Sequence, residues 1–381
     1  MSLVNSMGRW LPLWLVLGAL LAGGCASDSG PKPAELKPFK EQAQAKVAWR
    51  YSVGDSGPYV FSPVIWDGDV FVAATGGTLA RVDARNGKAR WRINTKVKLS
   101  GGVEARDGLV IVGSTKGAVL AYGLDGKPLW QVQISSESLG PASIADGTVV
   151  VRSGDGRVHG LDAATGARRW EYIATVPPLL IRTPAGVAID KGAVYAGLPG
   201  GKMVALSLVS GGLLWEAAVS QPKGDSELER VTDVVSVPIA EDNRVCAISF
   251  QGRIACFDTQ RGSLAWARNA SGTGGVGADE KAFYYVDEAS SVHAIDRDSG
   301  ASLWKLDTLA YRGLGAPGAA GRYVAVGDFD GYLHFLDRDD GTIAARLSTD
   351  GGPITAAPLA VGPGNLLVQT REGSLYAVTV R

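Results

Sequence analysis

The sequence predicts an all-β chain, an eight-bladed β-propeller of four-stranded antiparallel blades whose N-terminal strand closes the last blade. Three observations predict it. Tryptophan recurs about every forty residues, at Trp49, Trp91, Trp130, Trp170, Trp215, Trp266 and Trp304. Each later member ends a run like that over 156–170, in which a glycine, a short apolar strand, an aspartate and a second glycine precede the indole. The 51 glycines suit a fold dense in tight turns. A fixed period of this length with several short strands in it marks a propeller blade.

One period shows how the elements arise. Val70-Phe71-Val72-Ala73-Ala74 is rich in strand formers. Gly76-Gly77 supplies a reversal, because glycine reaches positive φ without a Cβ clash. Leu79-Ala80-Arg81-Val82-Asp83 returns, Arg85-Asn86-Gly87 turns again, and 88–93 carries Trp91. A lone four-stranded blade cannot bury its two apolar faces, so neighbours must cover them and the set must close into a ring.

Register fixes the count. Asp83, Asp162, Asp258, Asp296 and Asp337 share one turn position; a tryptophan stands eight residues after the first four, and Ala345 stands eight after Asp337. The last segment, 366–380, stops one strand short, and Val47-Ala48-Trp49-Arg50-Tyr51 supplies that strand from the other end. Pairing the two ends removes an open sheet edge. The count is then eight, or seven if the last blade is degenerate.

The propeller takes residues 47–381. Residues 1–24 read as a signal segment: Arg9 precedes an apolar stretch over 10–21 that is too short to span a membrane as a mature helix. Leu21-Ala22-Gly23-Gly24-Cys25 resembles the lipobox of bacterial lipoproteins. That likeness implies lipidation at Cys25, and Ala26 after it implies the outer membrane, with the propeller on the periplasmic face. An ordinary signal peptide with an incidental cysteine is the alternative. Residues 25–46, with Pro31, Pro33 and Pro38 among polar residues, read as a flexible tether.

Cys246 and Cys256 flank a turn at Phe250-Gln251-Gly252 and share a sheet face. They form either a disulfide, which an oxidising periplasm permits, or two reduced buried thiols. No metal site is expected there, since two ligands are too few.

Candidates for chemistry are sparse. His159, His293 and His334 each precede the repeat aspartate by three residues, where other blades carry Ala80, Leu120 or Tyr376, so they read as packing positions. Asp155, Asp328 and Asp330 lie beside turn glycines and lack the spacing of a calcium loop. The glycine-dense stretch 272–277 leads into no helix. With 38 basic and 38 acidic residues the formal charge is zero, so nothing predicts a nucleic-acid footprint. No cofactor and no catalytic residue is expected.

The tryptophan spacing locates a binding face. The steps from Trp170 to Trp215 and from Trp215 to Trp266, 45 and 51 residues, are consecutive and longer than the rest. The extra residues fall in two neighbouring blade-to-blade connections, which should emerge side by side. The first holds Val176-Pro177-Pro178-Leu179-Leu180-Ile181-Arg182, apolar where solvent is expected, and the second holds 226–233. An exposed apolar patch beside an arginine suits a protein partner. In the other reading Leu179 and Ile181 open the next inner strand.

The Asp162-to-Trp170 run is similar to the quinoprotein (PQQ-type) propeller repeat. The quinoprotein alcohol dehydrogenases built on it have vicinal cysteines, which this chain lacks. A lipobox joined to one propeller, with the stretch 327–334 and the segment 225–233, resembles the BamB family of outer-membrane protein assembly factors. That resemblance implies a non-catalytic lipoprotein scaffold of the β-barrel assembly machinery (the BAM complex). It implies partners as well: the periplasmic POTRA domains of BamA and other BAM subunits. A secondary expectation, read from the exposed blade edges and not from the resemblance, is that nascent outer-membrane proteins add strands there. It assigns the BamA contact to Leu179, Leu180, Ile181 and Arg182 on the first connection and Asp233 on the second, with Val235 where a second aspartate would stand. Competing expectations are a quinone- or calcium-dependent enzyme using the central channel, and a scaffold of another envelope complex.

Overall fold

A computed structural model describes residues 31–381 apart from residue 273. All its regular elements are strands, grouped into eight four-stranded antiparallel sheets. Blades one to seven span 64–94, 99–133, 143–172, 187–218, 239–270, 276–306 and 318–348, each with its strands in chain order. Blade eight combines three strands over 359–380 with the N-terminal strand Ala45–Ser52. Val47 pairs with Val378 and Tyr51 with Leu375, and Gln44 and Arg381 exchange backbone hydrogen bonds where the two ends meet. The ring is shut by its own termini, as the missing strand predicts.

The core lies between the blades. Eight apolar clusters fill the eight seams, each drawing on two adjacent blades. Between blades six and seven, for example, Tyr284 and Val292 meet Val324 and Leu336. The recurrent tryptophan crosses the seam. Each of the seven donates its indole N–H to a carbonyl of the next blade, as Trp49 does to Ala84 at 2.9 Å and Trp304 to Arg338 at 2.8 Å. Its ring lies on the glycine of that blade's turn: a Cβ on Gly87 would stand 2.6 Å from Trp49. The same turn is folded by the repeat aspartate, whose carbonyl accepts the glycine N–H in blades one, three, five, six and seven.

Blade seven has Ala345 in the tryptophan register, opposite Phe335. The reason is topological. In blade eight the chain ends replace the turn that would carry the stacking glycine, so an indole would have nothing to lie on. The N-terminal segment fills the seam instead. Gln42 and Ala43 donate backbone N–H groups to Ala344 O at 2.9 and 3.1 Å, and Ala43 is buried among Ala344, Ala345 and Val378.

Within the tether expected over 25–46, the structure departs from that expectation over 33–46. The closing strand begins at Ala45, and residues 33–44 form a strap along blades six and seven. Ala34 N donates to Ala310 O at 2.9 Å, Arg312 Nη1 to Ala34 O at 3.0 Å, Leu36 packs near Leu306 and Leu309, and Phe39 lies under the Arg346 guanidinium. Irregular chain can be fixed by such bonds without strand periodicity. The expected signal segment over 1–24 and Cys25 lie outside the described residues.

Cys246 and Cys256 pair directly across two strands of blade five and are disulfide-bonded.

Candidate partner-docking face

In every blade the outermost strand leads to the next innermost strand over the same face of the ring. The two long connections, 173–186 and 219–238, therefore emerge on one face as neighbours. The first contains no strand until Val187, so Leu179 and Ile181 belong to the connection rather than to blade four. Ile173 and Leu179 are exposed, and Leu180 and Ile181 are half-buried. Pro177 rests over the Gly200 turn and Val176 over Gly156, which fixes the run against blades three and four.

Asp233 holds the two connections together. It is 1% exposed. Its Oδ2 accepts Ile181 N–H at 2.6 Å and its Oδ1 accepts Gly200 N–H at 2.8 Å. Its own carbonyl accepts Phe250 N–H at 2.9 Å. A charged acceptor with two backbone donors is the strong kind of hydrogen-bonded group. The sequence reading placed Asp233 beside Arg182 on the partner's side. The structure turns it inward, because backbone amides of two other segments, at Ile181 and Gly200, converge on its carboxylate.

Arg182 is exposed and pairs with Glu137, a carboxylate supplied by the blade-two-to-three connection. Burial pushes the Glu137 carboxyl up, but the Ser136 hydroxyl, its own backbone amide and Arg182 outweigh that and hold it below its ordinary value. Behind the face lies Arg152, buried, with one hydrogen bond, from Nη1 to Ala185 O at 3.2 Å. Burial pulls its guanidinium down to about 10, against the pull of Asp233 and Asp155. It remains a cation, so the negative charge of Asp233 has a buried counter-charge in the same region.

The second connection presents an apolar side chain that the sequence reading passed over. Leu228 is 73% exposed. It rides on a single turn over 226–230 closed by a capping box: Glu229 Oε2 accepts Asp225 N–H and Ser226 N–H at 2.8 and 3.1 Å, and Ser226 Oγ accepts Glu229 N–H at 3.3 Å. The Ser226-x-x-Glu229 spacing was a readable signal for it. Glu137 and Arg152 had none, since only the ring closure brings them here.

Elsewhere the polar groups serve the fold. His334 Nε2 meets Asp328 Oδ2 at 3.0 Å and His293 Nε2 meets Asp287 Oδ2 at 2.9 Å, each across one hairpin turn. His159 sits among Ser135 and Ser153 in the same register of blade three. Asp155 and Asp328 accept from turn amides, as turn aspartates do. Among the described residues no group of His, Cys, Asp or Glu could hold a metal ion. The mouth of the central channel is a cavity of about 550 Å³, lined by Ser62, Pro141, Pro184, Val235, Ala316 and Ala357 among others.

A family model described as outer membrane protein assembly factor BamB matches residues 41–97, 75–306 and 288–381. The chain belongs to the BamB family. It is 39% identical to the outer membrane protein assembly factor BamB of Burkholderia pseudomallei (strain K96243), over 99% of this chain and 100% of that one. It is 37% identical to the BamB of Bordetella pertussis, over 97% of each. Among solved structures, the crystal structure of BamB from Moraxella catarrhalis superposes with a TM-score of 0.81 at 27% identity, covering 88% of this chain and 100% of that one. A quinohemoprotein alcohol dehydrogenase from Comamonas testosteroni, at TM-score 0.71 and 14% identity, shares the propeller fold alone.

Proposed function

We propose that this chain is a non-catalytic scaffold of the β-barrel assembly machinery, held at the outer membrane by lipid on Cys25 and facing the periplasm. In this reading it binds the POTRA domains of BamA and so assists the folding and insertion of outer-membrane proteins. Membership of an assembly-factor family supports the machinery. The observation that carries the contact is the pinned loop: Asp233 fixes the backbone at Ile181, so Leu179 stands exposed without freedom to collapse onto the ring. A preorganised apolar anchor loses less entropy on binding than a mobile one. Leu179, Leu180 and Ile181 supply apolar area, Leu228 extends it, and Arg182 with Glu137 forms a charged rim. Asp233 acts by positioning the loop.

Purified POTRA domains of BamA, titrated with the wild-type propeller and with a variant carrying Leu179→Asp and Arg182→Glu, test the contact. The expected result is loss of binding by a variant whose circular dichroism and melting temperature are unchanged. Undiminished binding by that folded variant removes the docking site from the proposal.

A further inference from the structure

The strap enters the propeller on the docking face, in the connection between blades six and seven, where Ala34 is bonded to Ala310 and Arg312. Two aromatic side chains project beside that point. Tyr311 is 43% exposed and Phe329 36% exposed, and they are the aromatic members of the exposed large apolar set among the described residues. Neither is on a loose loop. Tyr311 N donates to Ala289 O at 2.8 Å and Phe329 N to Arg312 O at 3.1 Å. Between them Arg312 is buried, bonded to Asp328 and Asp330, with its guanidinium 5.0 Å from the Phe329 ring centre. The Arg312 guanidinium, neutralised by Asp328 and Asp330, backs the Phe329 ring.

We infer that Tyr311 and Phe329 form a membrane-facing rim that rests at the lipid–water interface of the bilayer carrying the anchor. The inference rests on lipidation of Cys25. Nine residue-to-residue steps lead from Cys25 to Ala34, the first residue of the strap bonded to the blades. At about 3.3 Å per residue, that length confines Ala34, bonded to the neighbours of Tyr311, to within roughly 30 Å of the lipid. Aromatic side chains with an apolar body are favoured at that interface. On the strap, exposed Lys37 and Lys40 are matched by exposed Glu35 and Glu41, so the contact is apolar rather than a headgroup-charge effect. The docking loop over 179–182 lies on the same face, three blades round the ring. A partner bound there then sits on the membrane side of the propeller.

Full-length protein purified from membranes and reconstituted in phosphatidylethanolamine–phosphatidylglycerol vesicles tests this. An environment-sensitive fluorophore is placed on Phe329→Cys, on Tyr311→Cys as a second rim position, and, as the control on the opposite face of the ring, on Val209→Cys, whose side chain is exposed in the turn between Lys202–Ser207 and Leu213–Ala218, and lipids spin-labelled near the headgroup serve as quencher. Quenching several-fold stronger at both rim positions than at 209 is expected. Equal, weak quenching at all three overturns the rim. The mass of the N-terminal peptide separates the two ideas. An unacylated Cys25 sinks the anchor and the rim together, whereas acylated protein without rim quenching sinks the rim alone.

Discussion

Asp233 and Ile181 lie 52 residues apart, yet one carboxylate oxygen of the first accepts the backbone N–H of the second at 2.6 Å. The other oxygen takes Gly200 N–H, so a buried side chain sets the path of an exposed loop. In Asp233→Asn the amide can keep one of these bonds and must point N–H groups toward a donor. Leaving a buried donor unmet costs about 1–3 kcal/mol. The expected outcome is a lower melting temperature together with weaker POTRA binding, and faster hydrogen exchange at Ile181 and Gly200. If exchange rises but affinity stands, the loop is held by Asp233 without that order mattering to the partner.

The ring was legible in the sequence because its two seam devices are single residues at fixed spacing: an indole such as Trp304 and a turn glycine such as Gly341. The absent indole at Ala345 was legible too, but its cause was not, since the lack of a facing turn appears only when Ala45–Ser52 meets Ser374–Val380. The candidate docking loop was visible as extra length after Trp170. The inward turn of Asp233 was not, because an aspartate in a loop gives no sign of which backbone amides will converge on it. The strap was not legible for the same reason: prolines and polar residues describe a lack of periodicity, which reads as a tether, while Arg312 and Ala344 supply bonds from about three hundred residues away.

The seam makes an ordered prediction about glycines. Gly341 and Gly68 both have positive φ, +74 and +75, but a Cβ on Gly341 would stand 2.5 Å from Trp304 and one on Gly68 would meet nothing within 4 Å. Gly68→Ala should cost about 1–2 kcal/mol, the left-handed backbone penalty alone. Gly341→Ala adds displacement of the indole and should cost a further 1–3 kcal/mol or so by overpacking. Urea unfolding of the two variants checks the order. Equal losses would mean that the indole yields freely and is not the clamp between blades six and seven.

The bond between Cys246 and Cys256 closes a short loop within blade five, with a sequence separation of 10. Constraining a loop of that length in the unfolded chain stabilises by about 2–3 kcal/mol in the chain-entropy treatment. Unfolding in urea with and without a thiol reductant should differ by that amount for wild type and by nothing for a variant carrying Cys246→Ala and Cys256→Ala. Both cysteines are buried, so the reductant should act through the unfolded state. A fast reaction of the native protein with the reductant would contradict that.

Glu104 gives the pH test. It lies on the innermost strand of blade two with its side chain 17% exposed, and burial pushes its carboxyl up to about 7, helped by Asp107 and opposed by Arg106 at 3.7 Å. In the unfolded chain the same group titrates near its ordinary 4.5. Between those values the folded state binds the extra proton, so this group's contribution to stability falls as pH rises from 4.5 to 7 and stays lost above. Glu104→Gln removes the charge and keeps the shape. It should therefore stabilise the protein most at pH 8, by up to ~3 kcal/mol as an order of magnitude, with the gain shrinking through pH 6 and gone near pH 4.5. Paired urea titrations of wild type and variant across that range isolate the one carboxyl from the rest. A gain that does not change with pH would show that Glu104 titrates alike folded and unfolded, and that the interior of blade two does not penalise its charge.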